Sequence, residues 1–185
     1  MERGIVLLGE NAGIAKEAQK RGWGVVMRDE PCVPWPAALI LATDVFVPWD
    51  LLDAGFGMLE RWDMAAVLLP DRLASGAGEV PQREIARHTL RDLRIPLYET
   101  GLVFARKSPV GEAVVTTWCE GISLLGSPLA LLCAIHRVKP RLCALPPSWL
   151  TPLPKGPVVG GKRKALSGRK PRHMLYWDRM RRRPK

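Results

Sequence analysis

The chain has 185 residues, 47% of them hydrophobic, which is enough to bury the core of one domain. Its four cysteines form no C-x-x-C pair, which argues against a zinc cluster or a disulfide framework, and a reduced, intracellular compartment is expected. Residues 1–10 carry no signal-peptide pattern, and the longest uncharged run, residues 121–135, is shorter than the roughly 20 residues of a membrane span. We therefore expect a soluble, cytoplasmic protein without a transmembrane segment.

The net charge of +10 is unevenly distributed along the chain. Residues 1–150 hold sixteen Lys and Arg against seventeen Asp and Glu, whereas residues 151–185 hold twelve Lys and Arg and a single Asp. The sequence therefore predicts a nearly neutral domain at 1–150, followed by a basic, Pro- and Gly-rich C-terminal extension at 151–185.

The chain opens with the pattern of a strand, a helix and a second strand. Residues 4–9 form a compact apolar strand, Asn11 is placed to cap a helix over residues 12–21, and residues 23–29 form the next strand. Gly9 and Asn11 lie in the turn between strand and helix, where a phosphate or a base can approach the backbone. Because turn glycines are common, an ordinary tight turn is the alternative.

The third predicted strand, residues 38–43, ends abruptly at a single acid, Asp44. In parallel α/β sheets, ligands bind outside the carboxyl ends of the strands, so a carboxylate there can hold a cation or a metal-bound phosphate. An ordinary turn or cap aspartate is the alternative. Asp50 is predicted to cap the helix that follows, over residues 51–62.

A fourth buried strand, residues 64–70, is predicted to end in Asp71 and Arg72 beside a loose loop at residues 75–79. Arg72 could clamp a diphosphate through two N–H groups, and an ordinary surface ion pair is the alternative. A helix is expected to begin near Pro81, because proline is favoured in the first helical turn.

The next predicted strand, residues 98–107, contains a hydroxyl at Thr100 and a glycine at position 101. Gly101 would allow close backbone approach to a ligand, although a glycine in a strand equally marks a bulge. Ser108 is then expected to cap a helix whose apolar residues recur at helical spacing.

Three motifs between residues 39 and 150 resemble the GT-A fold superfamily of nucleotide-diphospho-sugar glycosyltransferases. Residues 42–44 read Ala-Thr-Asp where that family has Asp-x-Asp, and residues 98–102 read Tyr-Glu-Thr-Gly-Leu where it has Tyr-Asn-Thr/Ser-Gly-Val. Residues 127–128 are Ser-Pro where the family has Asp-Gln ahead of an Ala-rich helix. The chain therefore departs from the family at three motif positions that hold metal, donor and acceptor.

The resemblance implies an α/β domain of GT-A type, with a mostly parallel sheet flanked by helices. It also implies binding of a nucleotide-diphospho-sugar with Mn²⁺ or Mg²⁺, and transfer of the sugar to an acceptor hydroxyl. Asp44 and a late histidine, His173, would hold the metal, and the carboxylates of Glu99 and Asp71 are candidates for a base. The expected donor-binding residues are Gly9, Asn11, Thr43, Asp71, Arg72, Glu99, Thr100 and Gly101.

The charges of the extension require either an anionic partner or water around them. Nucleic acid could bind through its phosphates, with Tyr176 and Trp177 stacking on bases, and an anionic membrane surface could attract the same cations. A solvated extension is the third alternative. The residues expected to contact an anionic partner are Lys162, Arg163, Lys164, Arg169, Lys170, Arg172, Arg181, Arg182 and Arg183.

Two functions therefore stay open at the level of sequence. The first is a metal-dependent glycosyltransferase, which is favoured by Asp44, Gly101 and His173. The second is a catalytically degenerate GT-A scaffold that acts as a nucleic-acid-binding or structural protein through its basic tail, which is favoured by the three altered motif positions. A transferase that acts on nucleic acid would combine the two.

Overall fold

The computed structural model describes residues 2–45 and 47–150. The strands are β1 (Arg3–Leu8), β2 (Gly24–Arg28), β3 (Ala37–Ala42), β4 (Met64–Leu73), β5 (Pro96–Arg106) and β6 (Leu142–Leu145). The helices are α1 (Ala12–Lys20), α2 (Trp49–Met58), α3 (Val80–Leu90), α4 (Pro109–Leu125) and α5 (Ser127–Val138), with short 3₁₀ turns at Ala74–Gly76 and Pro147–Trp149.

The strands of the described chain form a six-stranded sheet in the order β2-β1-β3-β5-β4-β6. β1 is parallel to β2 and β3, and β6 is parallel to β4, whereas β5 is antiparallel to both of its neighbours, β3 and β4. The mixed α/β class and the mostly parallel sheet expected from the sequence are therefore confirmed. Because β5 runs against the others, its first residues lie at the edge of the sheet where the other strands end.

Helices cover both faces of the sheet, so its central strands are buried on both sides. In β3, Ala38 and Ile40 belong to one hydrophobic cluster, whereas Leu39 and Leu41 belong to another. The first cluster includes the buried residues of α3, α4 and α5, and the second includes those of α1 and α2. Apolar runs that continue through a strand, such as that of β3, are typical of strands buried in this way.

Five aromatic rings form a continuous ladder on the α1/α2 face. The consecutive ring centroids lie 5.0–6.2 Å apart, and most of the contacts are edge-on, the geometry that aromatic pairs prefer. In order, the rings are those of Trp49, Trp23, Phe56, Phe104 and Trp149. The ladder connects the start of α2 to the last described residues of the chain.

Two predicted helix caps are confirmed at atomic detail. The Asn11 side chain accepts a hydrogen bond from the Ile14 amide at 3.0 Å, and the Ser108 hydroxyl accepts one from the Gly111 amide at 3.1 Å. The predicted Asp50 cap is wrong, because α2 begins two residues earlier than predicted, at Trp49, with Pro48 as its N-cap. Asp50 lies instead in the first turn, where a carboxylate interacts favourably with the helix dipole.

The prediction that β4 ends at residue 70 is also wrong. Asp71 and Arg72 are part of β4, which continues to Leu73 and pairs there with Pro96. The pairing continues because the start of β5 supplies a partner strand beyond the end of β3. No helix in the ranges that the structure describes is long and apolar enough to cross a membrane.

Two glycines of α2 lie in contrasting surroundings, which gives a matched test of the packing between α2 and the sheet. A methyl group at Gly55 would overlap the ring of Phe104, whereas one at Gly57 would meet no atom within 4 Å. We expect Gly55→Ala to lower the free energy of unfolding by about 1–3 kcal/mol through overpacking. Gly57→Ala should raise it by about 0.5–1 kcal/mol through helix propensity. Urea unfolding measures both, and equal effects would contradict this packing.

Asp63 joins the starts of β4 and β6 to the end of β5. Its buried carboxylate accepts hydrogen bonds from the Arg141 amide at 3.0 Å and from the Arg141 guanidinium at 3.1 and 3.2 Å. The Asp63 amide donates to the Arg141 carbonyl, and the Asp63 carbonyl accepts from the Arg106 amide, each at 2.9 Å. The side-chain hydrogen bonds of Arg141 hold the pKa of the Asp63 carboxyl below its usual range.

Replacement of Asp63 should therefore destabilise the fold in a pH-dependent way. We expect Asp63→Ala to lower the free energy of unfolding by about 1–3 kcal/mol, because it leaves the Arg141 N–H groups without their acceptor. The pKa is depressed in the folded state, so the stabilisation is present above the unfolded pKa of about 3.9 and is lost as the pH falls through the lower folded value. Urea unfolding of the wild type and of Asp63→Ala at several pH values between neutral and acidic measures how this stabilisation depends on pH.

The matched control is Asp92→Ala, which removes an exposed carboxylate that is paired with Arg94. Its effect should be much smaller at every pH, because exposed ion pairs contribute little. A difference between wild type and Asp63→Ala that stays constant down to acidic pH would contradict the role given to the ionised carboxylate.

Candidate functional site

The carboxyl edge of the sheet gathers segments that are far apart in the sequence. Gly9 follows β1, Thr43 and Asp44 follow β3, and Glu99 to Gly101 belong to the first half of β5. A Cβ atom added at Gly9 would lie 3.4 Å from Cγ2 of Thr43. One added at Gly101 would lie 3.1 Å from Cβ of Ala42. We call this set of residues, 9, 43–44 and 99–101, the edge site.

Gly9 adopts a backbone conformation that favours glycine. Its φ angle is +103°, and its amide donates to the Arg28 carbonyl at 3.4 Å. This turn leads into the N-terminus of α1, where the free N–H groups of a first helical turn attract anions. Asn11 contributes here as the helix cap, and a direct contact between Asn11 and a donor stays a prediction.

Asp44 is an exposed carboxylate in the turn that follows β3. Among the residues that the structure describes, no group of three or more His, Cys, Asp or Glu side chains is placed to hold a metal ion. His173, the second predicted ligand, lies outside the described residues, as do the nine cationic residues predicted to bind an anionic partner. Mg²⁺ is commonly bound by one or two carboxylates together with substrate phosphates, so Asp44 alone fits an ion that arrives with a diphosphate.

Glu99 and Gly101 are joined by a local hydrogen bond within β5. One carboxylate oxygen of Glu99 accepts a hydrogen bond from the Gly101 amide at 3.0 Å, and the side chain is half-buried. Glu99 therefore helps to fix the backbone beside Ala42, which leaves its second oxygen for another partner. Thr100, between them, is also half-buried.

Asp71 and Arg72 lie on the extension of β4, on the far side of β5 from β3. Both side chains are exposed, and within the described ranges they form no ion pair with each other. The structure thus places them beside the edge site rather than in contact with Thr43 and Asp44. Their predicted role in donor binding stays a prediction.

An apolar cavity of about 220 Å³ adjoins the edge site and was missed by the sequence analysis. Leu41 and Val45, which flank the Thr43–Asp44 turn, belong to its lining, and so does the ring of Trp49. That ring lies 5.5 Å from the ring of Trp23, with the guanidinium of Arg21 at 4.9 Å. The other lining residues are Gly13, Ile14, Glu17, Val47 and Leu52.

Residues 127 and 128 lie at the start of α5, where Ser127 is partly buried and Pro128 is exposed. Ser127, which stands where the family has Asp, accepts a hydrogen bond from the indole N–H of Trp118 at 3.2 Å. Trp118 is fully buried, so this hydroxyl satisfies a donor that has no access to water. Pro128 lies in the first turn of α5.

The edge site and its surroundings carry an excess of negative charge. Six carboxylates follow the ends of β1, β2 and β3 or lie on the paired extensions of β4 and β5, against two arginines there. Two of these carboxylates, Asp44 and Glu99, belong to the edge site itself, so a diphosphate bound there would meet like charges. The acids are Glu10, Asp29, Glu30, Asp44, Asp71 and Glu99, and the arginines are Arg28 and Arg72.

The cysteines offer no reactive thiolate for this site. All four are free thiols, and burial raises the pKa of each, that of Cys119 to about 11. Reactive cysteines typically have a depressed pKa, and none of these four belongs to the edge site.

The structure is similar to the crystal structure of a candidate nucleotide-diphospho-sugar transferase from Desulfovibrio desulfuricans G20. The identity is 12% and the TM-score 0.40, and the match covers 78% of this chain and 58% of that one. The chain thus spans less than two thirds of that protein, and a likeness this distant carries no argument about activity. No protein-family model matches the sequence, and a search of curated proteins finds no match either.

Substitution of Gly101 should disturb the edge site directly. A methyl group there would overlap the Val45 side chain and crowd Ala42, so Gly101→Ala should displace the turn that carries Asp44. Amide NMR spectra should show shifts at residues 42–45 that exceed those anywhere else outside β5. In the control, Gly76→Ala, the added methyl meets no atom within 4 Å, and its shifts should stay local. Unchanged resonances at residues 42–45 in Gly101→Ala would contradict the geometry of the edge site.

Proposed function

We propose that the chain binds a nucleotide-diphospho-sugar together with Mn²⁺ or Mg²⁺ at the edge site and transfers the sugar to an acceptor hydroxyl. One observation carries the proposal. Two segments that resemble motifs of the GT-A glycosyltransferases, residues 42–44 and 98–102, lie more than fifty residues apart in the sequence but touch in the fold through Gly101 and Ala42. This contact is independent of the resemblance and supports it.

Each part of the edge site would contact a different part of the donor. The backbone at Gly9 and the N-terminus of α1 can face phosphate oxygens, and the Thr43 hydroxyl can donate to them. Asp44 would hold the metal, which when bound neutralises the charge of the leaving diphosphate. The adjoining apolar cavity has room for the ring of a nucleobase.

Sugar transfer at this site would be a displacement at the anomeric carbon. The oxygen of the acceptor hydroxyl forms a bond to that carbon, and the bond from the carbon to the diphosphate oxygen breaks. The nucleoside diphosphate leaves with the electron pair, and the hydroxyl proton passes to a carboxylate. Glu99 is nearer to Ala42 and Asp44 than Asp71 is, since β5 separates Asp71 from β3, and Glu99 is therefore the better candidate for the base.

A second function, binding without turnover, is favoured by a specific observation. At the first position of Asp-x-Asp the chain has Ala42, which packs against Gly101, and at the Asp-Gln position Ser127 is engaged by Trp118. Such a protein would retain the donor cleft as a recognition site. The release of nucleoside diphosphate from a bound donor separates the two functions, because only the transferase produces it.

Calorimetric titration tests donor binding. The negative charge around the edge site predicts that UDP and UDP-sugars bind only with Mn²⁺ or Mg²⁺ present, and that metal alone binds weakly. Asp44→Asn should reduce metal-dependent nucleotide binding by about tenfold or more, because charge-assisted metal ligation is lost. Binding that is equal with and without metal would contradict the proposal.

The matched control is Asp50→Asn, which removes one exposed carboxylate six residues away in the first turn of α2. It changes the net charge by the same amount and should leave nucleotide binding unchanged. If both variants lose affinity equally, general electrostatics rather than a specific Asp44 contact would account for the loss.

A further inference from the structure

We propose that Cys32 and Cys119 form a reversible disulfide site, which a small-molecule disulfide oxidises and free thiols reduce. The two residues are far apart in the sequence, but their side chains line one cavity of the fold. The site is separate from the edge site, and neither thiol takes part in the proposed donor binding. Intracellular disulfides of this kind are usually transient and redox-sensing.

Cys32 lies in the connection of residues 29–36, which joins the parallel strands β2 and β3 and contains neither helix nor strand. Parallel strands are usually joined through a helix that packs on the sheet. Here the connection is held by contacts with its neighbours. Val33 is buried, and the Pro31 carbonyl accepts a hydrogen bond from the Cys119 thiol at 3.0 Å. A thiol of α4 is therefore one of the groups that hold the connection on the α3/α4/α5 face.

This hydrogen bond places the two cysteines within reach of each other. The Pro31 carbonyl oxygen and Cα of Cys32 belong to one planar peptide unit, so the Cys119 sulfur lies within about 6 Å of that Cα. A disulfide requires about 4–5 Å between these two atoms. A rotamer change at Cys32 and a shift of the connection by about 1–2 Å therefore close the gap.

Small molecules have access to the pair. The cavity between the connection and α4 has a volume of about 270 Å³, and Glu112 and Thr116, which share its lining, are exposed to solvent. Cys32 and Cys119 are both partly exposed, and both are free thiols. A small disulfide can thus approach either sulfur from the solvent.

The surrounding charges set the order in which the two thiols react. Burial, with the nearby carboxylate of Glu30, raises the pKa of the Cys119 thiol to about 11. Burial also raises the pKa of the Cys32 thiol, but the guanidinium of Arg28 opposes that rise. Since the thiolate is the attacking form, Cys32 is expected to react first and Cys119 to resolve the intermediate.

The exchange takes two steps. The Cys32 thiolate attacks one sulfur of the small disulfide, which forms a mixed disulfide and expels the other half of the molecule as a thiolate. The Cys119 thiolate then attacks the Cys32 sulfur, and the second half leaves as a thiolate. The two protons of the protein thiols pass to the two expelled thiolates. The protein thus loses two electrons, and the small disulfide gains them.

The other two cysteines are placed differently. Cys133 is buried in α5. Cys143 packs in the cluster on the opposite face of the sheet, where its thiol donates to the Met58 sulfur at 3.6 Å. Neither residue lines the cavity that Cys32 and Cys119 share. Oxidation of the folded protein should therefore select one pair.

Mass spectrometry of the full-length chain tests the inference. The protein is incubated with oxidised glutathione, its remaining thiols are blocked with iodoacetamide, and it is cleaved after Lys, Arg and Glu, which leaves each cysteine in a peptide of its own. We expect a cross-link between peptides 29–60 and 113–120 that disappears when the protein is reduced before blocking. Absence of this cross-link, or a mixture of cysteine pairs like that formed in urea, would overturn the inference.

Single substitutions test the order of the two steps. Cys119→Ser should accumulate glutathione on Cys32, because the resolving thiol is missing, whereas Cys32→Ser should stay largely unmodified at Cys119. The matched control is Cys143→Ser, which removes a partly buried thiol on the other face of the sheet and should form the cross-link to the wild-type extent. Loss of the cross-link in Cys143→Ser would contradict the direct exchange. Circular dichroism should show that all three variants retain the fold.

Thermal unfolding tests whether the fold accommodates the bond. Oxidation should raise the midpoint of thermal unfolding of the wild type by about 5–15 °C, because the bond closes a long loop in the unfolded chain. Cys143→Ser should show the same rise and Cys32→Ser none. An unchanged or lower midpoint in the cross-linked wild type would show that the fold must distort to form the bond, which would overturn the inference.

Discussion

The reversed direction of β5 is the constraint on which the candidate site depends. The chain leaves β4 at the carboxyl edge, passes through α3 and enters β5 from the same edge, between β3 and β4. If β5 were parallel to its neighbours, residues 99–101 would lie near the opposite edge, far from Asp44. The reversal is held at its other end by Asp63, whose carbonyl accepts from Arg106 while its carboxylate binds Arg141. The antiparallel pairing of β5 therefore contributes both to the packing of the core and to the geometry of the edge site.

Charge is distributed unevenly along the chain. The edge site contains two carboxylates, residues 1–150 as a whole are nearly neutral, and the excess cations lie in residues 151–185. An acidic cleft can accept a diphosphate only with a counter-cation, which is the role that a divalent ion has in the proposed donor complex.

Local patterns predicted local structure well, because a cap or a buried strand is encoded within a few residues. The caps at Asn11 and Ser108 are examples, since each needs only one side-chain oxygen three residues before an amide. The direction of β5 could not be predicted from its residues, because an apolar run carries no sign of strand direction. The extension of β4 was missed because its exposed Asp71 and Arg72 resemble a loop.

The candidate site was predictable only in its parts. Asp44 was singled out because it ends an apolar strand and Gly101 because it is a glycine within a strand, but their proximity depends on sheet order, which no short segment specifies. The apolar cavity was missed because its lining comes from β3, α1, α2 and the turn between β3 and α2. Paramagnetic broadening of amide NMR signals by Mn²⁺ with UDP bound tests the central claim most directly. The account predicts broadening centred on residues 9–11, 43–45 and 99–101, and broadening centred elsewhere on the body would contradict it.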